Sequence, residues 1–171
     1  PVTGVLGDQQ AALFGQCCFE EGMAKNTYGT GSFVLTNVGH APPPPAEGLL
    51  TTVAWGIESR PSYALEGSIL VTGAAIQWLR DGLGMIATAS DTEAIADAVQ
   101  DTGDVYFVPA LTGLGSPWWD PYARGTIIGI SRGTRKEHIV RAVVEAMAYQ
   151  TRDVVSAIER ASGKQVSELR V

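Results

Sequence analysis

The stretch "GVLGDQQAALFGQ", Gly4 to Gln16, sets one carboxylate, Asp8, between an apolar strand pattern and a helical one, with Gln9 and Gln10 directly after it. Two chemistries fit that place. As an N-cap, Asp8 would accept hydrogen bonds from orphan amides of a helix beginning near Gln9. As a functional group it would stand at the carboxyl end of a strand, where α/β sheets put their ligands, and the Gln9 amide could bond a hydroxyl through either end. The stretch "NTYGTGSF", Asn26 to Phe33, places glycines on both sides of Thr30 and adds hydroxyls at Thr27 and Ser32. Glycines let a backbone turn tightly and bring its amides close to a phosphate. No Gly-Lys-Ser/Thr follows, so this is not a Walker loop, and a plain hairpin turn accounts for the same residues.

Gly67 and Gly73 lead into a pattern carrying Gln77 and Trp78. A helix start there would attract an anion, whereas close packing of helix on sheet would call for the same glycines. The loop "GLGSPWWDPYARG" reads as a packed aromatic loop, with Asp120 bonded to nearby amides. His40 and His138 stand alone as surface residues with no metal-ligand spacing between them. Cys17 and Cys18 are adjacent, which suits neither a disulfide framework nor a zinc site, and they read as core packing. No Ser-His-Asp pattern is present.

These residues need a scaffold, and the chain supplies one of ordinary globular composition: 171 residues, 45% hydrophobic and 18% charged, with a net charge of -6. The acidity excludes a nucleic-acid backbone as main partner, and no run is long enough to cross a bilayer. A reducing, cytoplasmic setting follows from the cysteine usage. The pattern predicts a short buried strand over 1–7, then a helix over 9–22 with Ala11, Phe14, Cys17 and Cys18 facing a core and Gly22 as its stop. Strands follow over 23–39, 49–57 and 62–71, with "HAPPPPAEG" as an extended connector. A helix over 72–84 comes next, then a shorter one with a capping box of Ser90 and Glu93. Two further strands flank the aromatic loop. A long helix closes the series, with Thr134 and Glu137 as a second capping box, an apolar stripe of Ile139, Val143, Met147, Val154 and Ile158, and Gly163 at its end. A last strand begins in "SELRV". The order implies an α/β fold with a mixed sheet and flanking helices. With Pro1 inside a strand pattern and no polar tail, the sequence reads as a piece of a longer protein.

Taken together, "GDQQAALFGQ", "GMAKNTYGTGSF", "GLLTTVAWG", "YALEGS", "GAAIQWLRD", "PALTGLGSPWWDPYARG" and "EAMAYQTRDV" resemble, in order and over nearly the whole chain, the FGGY family of carbohydrate kinases. "GTIIGISRGTRKEHIVRAVVEA" resembles the family's second signature. "DPYARG" and "GDQQAALFGQ" look more like the members that phosphorylate glycerol than those acting on pentuloses or hexuloses. The resemblance implies an actin-like ATPase fold of two ribonuclease-H-like domains, residues 1–22 closing the first and 23–171 forming part of the second. It implies glycerol and ATP with Mg²⁺ as substrates and cofactor, a homo-oligomeric parent, and glycerol 3-phosphate as product. Asp8 would be the catalytic base on the glycerol 3-hydroxyl, Gln9 a substrate contact, and Phe33 the aromatic against the glycerol carbons. Thr30, Gly73 and Gln77 would bind the nucleotide. The family's first phosphate loop, the arginine, glutamate and tyrosine of its polyol site and its "DGG" adenosine segment are absent, so these residues alone are expected to be inactive. A kinase of another polyol or ketose, and a non-catalytic nucleotide-binding module, remain open alternatives.

Overall fold

The computed structural model describes residues 1–171. Its elements are α1 (Asp8–Gly15), β1 (Met23–Tyr28), β2 (Ser32–Gly39), β3 (Leu50–Ile57), β4 (Arg60–Ile69), α2 (Gly73–Gln77) running on into a π-helical turn (Trp78–Gly82), α3 (Asp91–Asp97), β5 (Tyr106–Val108), β6 (Thr126–Ile128), α4 (Lys136–Ser162) and β7 (Glu168–Arg170). The main sheet has the order β3-β4-β2-β1-β7. Its β1–β7 pair is parallel and the rest antiparallel, so the sheet is mixed as the sequence implies. β5 and β6 form a separate hairpin. No helix is long and apolar enough to cross a membrane.

Side chains alternate across a strand, and here the two faces of the sheet receive different helices. Val34, Val38, Leu65 and Ile69 meet Val154, Ala157 and Ile158 of α4 on one face. Leu35, Ala54, Trp55 and Ala64 meet Leu13 of α1 on the other, together with Cys18. The predicted stripe of α4 serves two cores. Val154 and Ile158 cover the sheet, while Val140, Val143 and Ala146 pack under α2 and β5 against Ala75, Leu79 and Phe107. Gly163 ends the helix at φ 68°, a left-handed conformation that glycine adopts without Cβ strain.

Several local expectations are corrected. Residues 1–7 form no strand, and Val2 and Val5 are exposed. Apolar alternation makes a strand only where a neighbouring strand takes up its backbone groups, and none lies alongside. α1 stops at Gly15, because Cys17 turns left-handed (φ 55°) and closes a Schellman pair: Cys18 N–H to Leu13 O (3.2 Å) and Cys17 N–H to Phe14 O (2.8 Å). That turn exposes Cys17 and buries only Cys18. Ala11 is exposed too, and Leu13 is the buried residue of α1. Ser90 makes no cap bond; Asp91 instead accepts from the amides of Ala87 (3.1 Å) and Thr88 (2.7 Å). At α4 the start is displaced by one residue: Arg135 is the N-cap, and its N–H donates to His138 Nδ1 at 3.0 Å. His138 is therefore a structural acceptor rather than a free surface residue, whereas His40 is exposed as expected and its Nδ1–H donates to Pro61 O at 2.8 Å. The aromatic loop is packed only in part: Gly113, Gly115 and Ser116 are buried, whereas Trp118, Trp119 and Tyr122 are exposed, and Asp120 accepts from Tyr122 N (2.8 Å) and Ala123 N (3.1 Å). Gly67 lies inside β4, where a Cβ would run into Val154, so helix-on-sheet packing accounts for it.

Candidate active site

Asp8 is the first residue of α1, not its cap: Gly7 holds the N-cap position and no side chain caps the helix. The exposed Asp8 carboxylate is thus free of the structural duty the sequence allowed it. Its one side-chain partner is Gln9, whose Nε2 donates to Asp8 Oδ2 at 3.3 Å. The other end of that amide, Gln9 Oε1, accepts from Lys25 Nζ. Lys25 also donates to Thr27 Oγ1 (2.9 Å) and to the backbone carbonyl of Phe33 (3.1 Å). Asp8, Gln9 and the Phe33 backbone are thereby linked through one buried ammonium.

Sequence reasoning passed over Lys25, because a lysine in a strand is ordinarily solvated. Its strand partner is a signal only in hindsight of the fold, since the even side of β1 faces α4 and the odd side, Lys25 and Thr27, faces α1. Lys25 is only 1% exposed. Burial pushes its ammonium down from the ordinary 10.5 to about 8, against the raising pull of Glu66 and Asp8. The folded chain therefore gives up this proton before the unfolded chain does. Through that window, about pH 8 to 10.5, this group alone makes the fold more stable as the pH rises.

A second cluster lies at the same end of the β1–β2 hairpin, whose last pairs are Thr27↔Phe33 and Tyr28↔Ser32. The turn Gly29-Thr30-Gly31 projects beyond them. Its carbonyls accept the amides of the next helix: Gly73 N–H to Gly29 O (2.9 Å), Thr72 N–H (2.9 Å) and Ala74 N–H (3.0 Å) to Thr30 O. The start of α2 is thus occupied in holding the turn, which overturns its reading as a free anion-binding helix end. The amides of Thr30 and Gly31 make no intramolecular bond. Thr30 borders a cavity of about 320 Å³ that it lines together with Gly73 and Gln77, so the three residues singled out from sequence converge. Arg80 and Thr92 line it as well and were not anticipated; Arg80 is held by Asp81 at 2.7 Å.

Gly73 is needed for close approach. A Cβ there would stand 2.5 Å from Gly29 O, a backbone atom that cannot swing aside. Gly73→Ala is expected to cost about 1–3 kcal/mol of overpacking strain, measured by urea unfolding; a loss under about 0.5 kcal/mol, the usual scatter for surface changes, would show that the turn yields freely.

Residues 24–171 match the C-terminal domain of the FGGY family of carbohydrate kinases. The chain belongs to that family. A glycerol kinase of Carboxydothermus hydrogenoformans is 61% identical over all 171 residues, which make up 34% of that relative's length. The crystal structure of Plasmodium falciparum glycerol kinase with ADP is 40% identical, with a TM-score of 0.89 over 96% of this chain and 33% of that one. A xylulose kinase of Brucella ovis is 25% identical, with a TM-score of 0.84 over 97% of this chain and 33% of that one. The chain thus spans about a third of the length of these FGGY relatives. The α/β fold with its mixed sheet is the fold of this family, shared by kinases of different sugars, so architecture alone does not select the substrate.

No group of three or more His, Cys, Asp or Glu side chains could hold a metal ion. Mg²⁺ ordinarily binds through one or two carboxylates, phosphate oxygens and water, and the donor set here offers Asp8 as the one carboxylate beside Gln9. These residues do not form a magnesium cage, and no step below runs through the ion.

Proposed function

We propose that these residues are the hydroxyl-binding and phosphate-turn part of an ATP-dependent glycerol kinase, the polyol and nucleotide being completed by the remaining two thirds of a full-length protein. The observation that carries this reading is the 61% identity across the entire chain to a glycerol kinase, against 25% for a xylulose kinase of nearly the same shape. Residues 1–22 belong in this reading to the end of the neighbouring domain; the family match beginning at residue 24 supports that division, whereas the packing of Leu13 and Cys18 on the main sheet ties α1 to the second domain.

Phosphoryl transfer demands positioning and charge neutralisation more than covalent chemistry. Asp8, uncommitted to any cap, accepts the proton of the attacking hydroxyl and orients its oxygen. Gln9 bonds a neighbouring hydroxyl, and Phe33 presents its ring to the carbon chain. The free amide of Thr30 faces a phosphate, and Gly73 and Gln77 flank the nucleotide side of the cavity. A carboxylate is a weak base for an alcohol; it takes the proton late, once the bond to phosphorus is forming.

In a coupled assay of ADP release, the full-length protein is expected to turn over with glycerol and to be at least a hundredfold slower with xylulose or gluconate. Comparable rates on a ketose would move the assignment to another kinase of the family. The 171 residues expressed alone are expected to release no ADP in response to glycerol. Turnover by them at the full-length rate would refute the proposed division of the site.

A further inference from the structure

Lys25 is the largest fully buried side chain of the molecule. An ammonium donates three hydrogen bonds and accepts none, and here Gln9 Oε1, Thr27 Oγ1 and Phe33 O take all three. The amide atom of Gln9 facing Lys25 is consequently the oxygen. Its Nε2 is turned the other way, toward Asp8 Oδ2. With a neutral residue at position 25, either end of the amide could face the sheet. The flipped amide would then set an oxygen against the Asp8 carboxylate, two acceptors with no proton between them.

We infer that Lys25 is a positioning residue that fixes the polarity of the hydroxyl-binding pair: Gln9 presents only donors to the substrate, and Asp8 is left as the acceptor of a hydroxyl proton. This rests on the reading of the chain as part of a polyol kinase. It deepens that reading, because a fixed donor beside a fixed acceptor selects an alcohol with hydroxyls on adjacent carbons, one giving its proton to Asp8 and the next offering its oxygen to Gln9. Lys25 holds Phe33 as well, through that residue's carbonyl, so the wall against the carbon chain is set by the same group. The charged and titratable groups facing the ammonium are Glu66 from β4, Asp8 from α1 and Cys18 from the turn after α1.

Three variants of the full-length protein test this, each with KM for glycerol, KM for ATP and thermal unfolding. Lys25→Met is expected to raise the glycerol KM at least tenfold and leave the ATP KM within twofold. Gln9→Glu keeps an oxygen for Lys25 but cannot donate, and it sets a second carboxylate against Asp8; the same glycerol-selective rise is expected. In Lys25→Ala, a cavity of about 410 Å³ that borders position 25 gives small molecules access. Propylammonium is expected to restore part of the glycerol affinity, and 1-propanol, of the same shape but neutral, is not. A glycerol KM within twofold of wild type in Lys25→Met or in Gln9→Glu would overturn the inference, as would equal rescue by the alcohol. Should Lys25→Met fail to fold, the difference between propylammonium and 1-propanol in Lys25→Ala decides. A wild-type protein without glycerol-dependent ADP release would sink the kinase reading and this inference together. An active wild type with unmoved variants would sink this inference alone.

Discussion

Asp8→Asn in the full-length protein is expected to lower kcat by about 10²–10⁴-fold, the usual worth of a general base, or roughly 3–5 kcal/mol of barrier at 1.36 kcal/mol per decade. Stability should hardly move. Asp8 is at the first helical position, Gly7 is the N-cap, and the carboxylate makes no cap bond that its loss could break. The one contact at stake is the 3.3 Å bond from Gln9 Nε2, which an asparagine oxygen can still accept. Asp8→Ala should for the same reason cost far less than the roughly 1 kcal/mol of a lost cap. A side effect is expected in Lys25, whose ammonium Asp8 helps to keep charged, so that its pKa falls further in both variants. The deciding measurement is kcat under saturating glycerol and ATP, with thermal unfolding alongside. A kcat within a few-fold of wild type would remove Asp8 from the chemistry, and the structure leaves no capping role to explain it instead.

Leu13→Ala should produce the largest loss of stability, about 2–5 kcal/mol, the range for a fully buried leucine that leaves a cavity. α1 has eight residues, too few to persist on propensity alone. Its one fully buried side chain is Leu13, seated among Cys18, Leu35, Ala54, Trp55 and Ala64. Releasing that contact frees the helix that carries Asp8 and Gln9, so the glycerol KM should rise while the ATP KM, set on the turn and α2, stays close to wild type. Urea unfolding and the two KM values together make the test. A loss below 1 kcal/mol would mean that α1 is held by something other than this core.

How much of this was legible beforehand depends on the range over which each signal acts. The stripe of α4, its stop at Gly163, the strands over 49–57 and 62–71 and the extended proline connector are periodic or steric properties of neighbouring residues, and they stand where the sequence puts them, whereas the strand expected over 23–39 is folded at Gly29–Gly31 into the antiparallel pair β1 and β2. The caps are local too, yet they were misread. At α3 the Ser90 hydroxyl turns to Thr88 Oγ1 while the Asp91 carboxylate reaches back to the amides of Ala87 and Thr88, and at α4 the imidazole of His138 takes the place expected of Glu137. A capping motif names residue types, while the bond goes to whichever acceptor the preceding turn brings into reach.

By itself, then, the sequence determined the order and kind of the elements, the mixed α/β class, and the stretches around Asp8, Thr30 and Gly73 where chemistry was to be sought. Tertiary structure alone decided which of these meet. Thr30, Gly73 and Gln77 share a cavity because the hairpin turn accepts the amides at the start of α2, a contact between residues more than forty positions apart. Asp8 was released from capping by one residue of helix phase. Lys25 became the centre of the cluster of Gln9, Thr27 and the Phe33 carbonyl because α1 lies on the odd face of β1, enclosing an ammonium that its neighbours in sequence would have left in water. Periodicity fixes which residues share a face, but burial and hydrogen-bond partners depend on what is packed against that face, and that information is carried by distant parts of the chain.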